Sequence, residues 1–156
     1  MSSSIYSTFS TNKNLEHEGI DVRYNDIKFV IARAGGSNQA FKKAFGKKIK
    51  PFRSQIENES MDDDVAIEIL AEVYAETVIR GWYSIKKDAD GNPVVKKGVP
   101  EWVDKMPDRE GKLMPYSTEN CVALLVELPE LFKDLQYMAS KTANFRLAED
   151  EKDEKN

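Results

Sequence analysis

Four carboxylates recur at every fourth residue in the middle of the chain: Asp64, Glu68, Glu72 and Glu76. On a helix this spacing stacks them in one row. Like charges at that separation cost roughly 0.2–0.5 kcal/mol per pair unless they are opposed, so the row needs cations, water or a basic partner. Arg80 follows Glu76 in the favourable orientation. No neighbouring ligand set fixes a coordination sphere, so the row reads as a solvated or partner-steering face and no metal is expected. Gly35-Gly36-Ser37 has two readings: backbone N–H groups that hold an anion at a helix start, or, more simply, a turn and N-cap. Asp88-Ala89-Asp90-Gly91-Asn92 opens like a calcium loop. The glycine position of such a loop falls on Pro93, however, and its bidentate acid on Val99, so it reads as a plain turn.

Lys42, Lys43, Lys47, Lys48, Lys50 and Arg53 form a basic stretch interleaved with Phe41, Phe45 and Phe52. Lysines beside aromatic rings can hold phosphate and stack bases. Here the helical spacing of the rings suits a core, and the formal net charge of −4 weakens the case for nucleic acid. The sequence holds no GxSxG, no Gly-rich loop ending in Lys-Ser/Thr and no HExxH. No enzyme and no cofactor are therefore expected. A single Cys and a single His exclude a disulfide framework and a Cys/His zinc site. His17 falls in a polar segment, and Cys121 falls on an apolar stripe as a small hydrophobe.

The elements that must position these residues follow from periodicity and punctuation. At 156 residues, with 40% hydrophobic and 10% aromatic residues, the chain can bury one core. Residues 1–18 are Ser-rich and polar and read as a mobile N-terminal arm. Residues 19–148 read as one domain and 149–156 as a charged C-terminal tail. Ile20–Tyr24 and Ile27–Arg33, split by Asn25-Asp26, suggest paired strands. Helices are predicted at about 37–45, 61–81, 117–128 and 129–148. In the second, Val65, Ile69, Leu70, Val73 and Thr77 form one stripe and Ile67, Tyr74, Val78 and Trp82 another. Pro129 suits the first position of the last helix. Residues 84–116, with four prolines, read as a long irregular loop or hairpin carrying Trp102. The expected class is mainly α with a small N-terminal β element. No apolar run approaches the roughly 18 residues a membrane span needs. The N-terminus lacks the pattern of a secretory signal, so an intracellular protein is expected.

Three segments also carry a resemblance. They are IARAGGSNQAFKKAF, AEVYAETVIRGW and YSTENCVALLVELPELFKDLQYMASKTANFR. In this order they are similar to the tail assembly chaperones of long-tailed, siphovirus-type bacteriophages, over about Ile20 to Asn156. The most specific pieces are Ala32 to Asn38, Ala71 to Trp82, and Leu128 to Phe132 followed by Ala143 to Arg146. The resemblance implies a non-enzymatic protein of the host bacterial cytoplasm, absent from the mature virion. It implies binding to the helical tape-measure protein until tail-tube protein displaces it. Trp82, Tyr83, Val99 and Trp102 are then candidate apolar contacts, and Glu68, Glu72 and Glu76 a steering surface. Apolar helix faces can also close on copies of the chain, which makes self-association a candidate. The competing expectations are a structural tail component of terminator or connector type, which stays in the virion, and a small nucleic-acid-binding regulator.

Overall fold

A computed structural model of the protein describes residues 4–146; the expected charged tail at 149–156 lies outside the described residues. The element order is α1 (Ile5–Phe9), α2 (Lys13–Glu18), β1 (Ile20–Tyr24), β2 (Ile27–Ile31), α3 (Gln39–Ile49), α4 (Arg53–Glu57), α5 (Asp63–Thr77) and β3 (Ile79–Ile85). Then come β4 (Val95–Lys96), β5 (Val99–Pro100), β6 (Trp102–Val103), β7 (Lys105–Pro107), β8 (Leu113–Pro115), α6 (Thr118–Glu127) and α7 (Pro129–Ser140). Short 3-10 turns cover Lys50–Phe52 and Thr142–Phe145.

The expectation of a mainly α protein is overturned. About 50% of the described chain is helix and 23% strand, and the architecture is mixed α+β around a four-stranded antiparallel sheet in the order β1-β2-β3-β6. Two misread segments account for the difference. The helix expected over 61–81 stops at Thr77, and Ile79–Ile85 becomes an inner strand. Val78 and Ile79 are β-branched, and β2 lies ready to pair with them. Ala32 N–H donates to Val78 O at 2.7 Å, and the buried Asn38 amide donates to Thr77 O at 2.9 Å. These tertiary partners outweigh a small helix propensity.

The segment 84–116 is the second correction, because it carries the end of β3 and five short strands. β6 joins the sheet, while β4–β5 and β7–β8 are two small ribbons. Both Asp88–Asn92 and Asp108–Lys112 turn the same way. The first Asp carboxylate accepts N–H groups two and four residues on, at 2.9–3.0 Å. Gly91 and Gly111 take the positive φ that closes each loop.

The remaining helices shift at their ends. The one expected at 37–45 runs Gln39–Ile49 and is capped by Asn38, not Ser37. Ser37 instead faces α2. Ser117 caps α6 through Asn120 N–H at 3.0 Å. The helix expected to 148 ends at Ser140.

Val22, Phe29 and Trp82 lie opposite one another across β1, β2 and β3. All three are buried. With Ala71, Tyr74 and Ala75 of α5, Cys121 and Leu125 of α6, and Phe132, Leu135 and Ala139 of α7 they form the core. Rings meet edge to face along it: Phe41–Tyr74 at 5.6 Å, Tyr74–Phe132 at 5.3 Å and Trp82–Tyr116 at 5.0 Å. Burial pushes the Cys121 thiol up to about 12, although a hydrogen bond with Tyr116 acts the other way. Thiolate is the reactive form. Native protein at pH 8 is therefore expected to resist Ellman's reagent over an hour and to release one equivalent in denaturant, read by absorbance.

Residues 13–18, expected within a mobile arm, form a helix anchored by a buried acid. Glu16 is 1% exposed. Its carboxylate accepts from Ser37 Oγ at 2.7 Å and Ser37 N–H at 3.3 Å, and pairs with Arg33 Nη1 at 2.5 Å. Arg33 N–H also donates to Glu16 O at 2.9 Å. Burial alone would raise the Glu16 pKa, but hydrogen bonds from Ser37, Arg33 and Thr11 outweigh it and hold the carboxyl below its ordinary 4.5. Gly36 makes the cradle possible. Its φ is +53°, and a Cβ there would stand 2.2 Å from Glu16 Oε2.

Candidate docking groove

The β1–β2 hairpin end of the sheet, at Tyr24 and Ile27, borders an open surface. α6 and α7 meet at Leu128-Pro129, where Pro129 occupies the first helical position. The bend leaves an open trough between these helices, β2 and the β7–β8 ribbon. It encloses about 540 Å³. Ile27, Met106, Met114, Leu124, Leu128 and Leu131 supply its apolar lining. Leu128 is 40% exposed, so part of this surface is in water. Two unbranched methionines make the floor adaptable in shape.

Polar groups stand at the rim. Arg109 Nε donates to Glu127 Oε1 at 2.9 Å. Tyr24 OH donates to Asp134 Oδ2 at 2.5 Å, and burial together with that carboxylate raises the Tyr24 pKa. Tyr24 therefore stays a neutral donor. The trough offers an apolar floor with a polar edge, suited to an amphipathic helix or a flexible apolar segment.

On the other side of α6 lies a second depression of about 740 Å³ between α5 and α6. Glu68, Glu72, Glu76, Glu119 and Glu127 border it, over Val122 and Val126. Ala123 and Glu127 belong to both depressions, so the surface is continuous across α6. Lys48 lies 3.4 Å from both Glu72 and Glu76, while among the described residues Glu68 and Glu119 have no cation.

The residues singled out from the sequence separate into three places. Glu68, Glu72 and Glu76 do share one face. Trp82 lies in the core: it is 1% exposed and its indole N–H donates to Met114 O at 3.0 Å. Tyr83 and Trp102 come together, half-buried, on the sheet face away from the helices. Lys28 Nζ sits 4.6 Å from the Trp102 ring centre and 5.5 Å from that of Tyr83, and the Arg23 guanidinium lies 5.2 Å from Trp102. Val99 is exposed on the β4–β5 ribbon, in neither depression. The apolar trough itself escaped sequence reading. Leu124, Leu128 and Leu131 have the periodicity of core residues, and Met106 and Met114 are joined to them only by the β7–β8 pairing Met106↔Met114.

The family profile described as YdaY prophage protein matches residues 36–95 and 97–156. The chain belongs to the YdaY prophage protein family. It is therefore phage-derived. The two matched stretches span α5, the β7–β8 ribbon, α6 and α7, so most of both depressions lies within the part that defines the family. No curated protein and no solved structure matches the chain. Among the described residues no group of three or more His, Cys, Asp or Glu is placed to hold a metal ion, and no helix is long and apolar enough to cross a membrane.

Proposed function

We propose that this prophage protein is a non-enzymatic tail assembly chaperone, which holds an amphipathic helix of the tape-measure protein in the trough between α6–α7 and the β7–β8 ribbon. The observation that carries this reading is the open apolar lining of Ile27, Met106, Met114, Leu124, Leu128 and Leu131 inside a polar rim. Long helical proteins expose apolar stripes that aggregate unless covered. A shallow trough covers such a stripe without the large area of an obligate interface, which lets tail-tube protein displace the chaperone. The site of action is the host bacterial cytoplasm, and the protein is released before the virion is complete.

Co-expression with the tape-measure protein of the same phage, with a tag on this chain alone, tests the reading. The wild type is expected to keep the tape measure soluble and to co-purify with it. Leu128→Asp, at a partly exposed position, is expected to fold and to lose co-purification at least tenfold. A tape measure that stays insoluble beside folded wild-type chain defeats the proposal. So does recovery of this chain from purified virions by mass spectrometry, which points instead to a terminator or connector protein.

A further inference from the structure

We infer that the segment seated in the trough is an amphipathic helix whose apolar stripe is flanked by lysine or arginine, on the side that faces α5. The inference deepens the docking reading of the trough and rests on it. The trough is apolar, but beyond one wall, α6, lies a depression that α5 and α6 together line with carboxylates. Glu68, Glu72, Glu76, Glu119 and Glu127 line the depression that adjoins the trough at Ala123 and Glu127. Against these five carboxylates the described residues set only Lys48, shared by Glu72 and Glu76, and Arg109, paired with Glu127. Glu68 and Glu119 are exposed, and no described cation pairs with them. A helix is about 10 Å across. One lying in the trough therefore brings the flank of its stripe over α6 and within reach of this acidic row. A basic flank gains complementary contacts, whereas an acidic flank meets like charge on desolvation.

The chain's own segments fit this chemistry poorly. The basic helix α3 spends its apolar side on α5, with Phe41 against Tyr74 at 5.6 Å. The exposed Ile5, Tyr6 and Phe9 of α1 have no cation within that helix. A partner with both features on one helix is the better occupant.

Two synthetic helical peptides of about 18 residues separate the terms. Both carry the same leucine stripe; one has lysine flanks and the other glutamate flanks. Binding to the full chain is read by fluorescence anisotropy in about 50 mM salt and again in about 500 mM. The lysine-flanked peptide is expected to bind at least tenfold more tightly at low salt, with most of the advantage gone at high salt. The double variant Glu68→Lys/Glu119→Lys, at two exposed positions, is expected to remove or reverse the preference. Leu128→Asp, checked for folding by circular dichroism, is expected to weaken both peptides.

Equal binding of the two peptides, both lost in Leu128→Asp, overturns the charge inference and leaves the trough as a docking site. Failure of both peptides to bind overturns the docking reading itself. Lysine-dependent binding that is indifferent to Leu128→Asp places the contact outside the trough and also overturns the inference. Concentration-dependent dimerisation by light scattering, blocked by both peptides alike, makes a second copy the occupant and defeats it as well.

Discussion

Trp82→Ala is expected to destabilise the protein by about 4 kcal/mol, the range found when a fully buried large aromatic is truncated. Three contributions are lost together. The ring fills the core beside Phe29, 6.2 Å away, and Tyr116, 5.0 Å away. Its N–H ties β3 to Met114 O on β8 at 3.0 Å. The Met114 carbonyl then loses that partner, at a further cost of roughly 1 kcal/mol or more. Trp82→Phe keeps much of the apolar volume and is expected to lose about half as much. Urea denaturation followed by circular dichroism measures both. A loss below about 1 kcal/mol in the alanine variant would contradict the core assignment and return Trp82 to the list of contact residues. Because Met114 also lines the trough, the same variant is expected to loosen the β7–β8 wall, seen as faster amide exchange over residues 105–115.

Glu16→Ala is the second large effect, expected at about 3 kcal/mol. Removing one partner of a buried ion pair leaves the other charged and unsatisfied. Among the described residues the Arg33 side chain keeps only its contact with Thr142 Oγ1 at 3.4 Å, and Ser37 loses its acceptor. Amide exchange should rise over residues 4–18, because this carboxylate joins α2 to the loop before α3. Gly36→Ala should act through the same cradle, since the added methyl would occupy the carboxylate's place. The acid dependence has a definite sign. Native Glu16 titrates below its unfolded value of 4.5, so its stabilisation is fully present above pH 4.5. It is lost as pH falls through the lower folded value. The wild type should therefore lose more stability between about pH 5 and pH 3 than Glu16→Ala. Parallel acid curves for the two proteins would show that the cradle contributes nothing to pH dependence.

Glu16 also illustrates what a linear reading can miss. Gly35-Gly36-Ser37 reads most simply as a turn and N-cap, yet Ser37 holds an anion through its hydroxyl and its N–H. The anion is a side chain 21 residues earlier, in a segment whose composition suggests a mobile arm. The regular pieces were easier to read. The β1–β2 pair, the start of α5, the Ser117 cap and Pro129 at the head of α7 rest on local signals within four or five residues. The fold class failed where the signal was not local. Val78 to Trp82 continues the apolar stripe of α5 without a break, and only pairing with β2 turns it into a strand. The same pairing takes Trp82 from the candidate surface into the core.

By itself the sequence determined the charge row of Glu68, Glu72 and Glu76, the Ser117 cap, the Asp88–Asn92 turn, and the phage lineage carried by its family match. These depend on residues near one another in the chain or on the pattern of residue types alone. The tertiary structure decided which apolar residues remain uncovered. Leu124, Leu125 and Leu128 are alike in type and helical spacing, yet Leu125 is buried while Leu128 stays 40% exposed. The difference is set by where β2, the β7–β8 ribbon and α7 come to rest against α6. Burial depends on neighbours brought from far along the chain, and periodicity can say that a face is apolar but not what covers it.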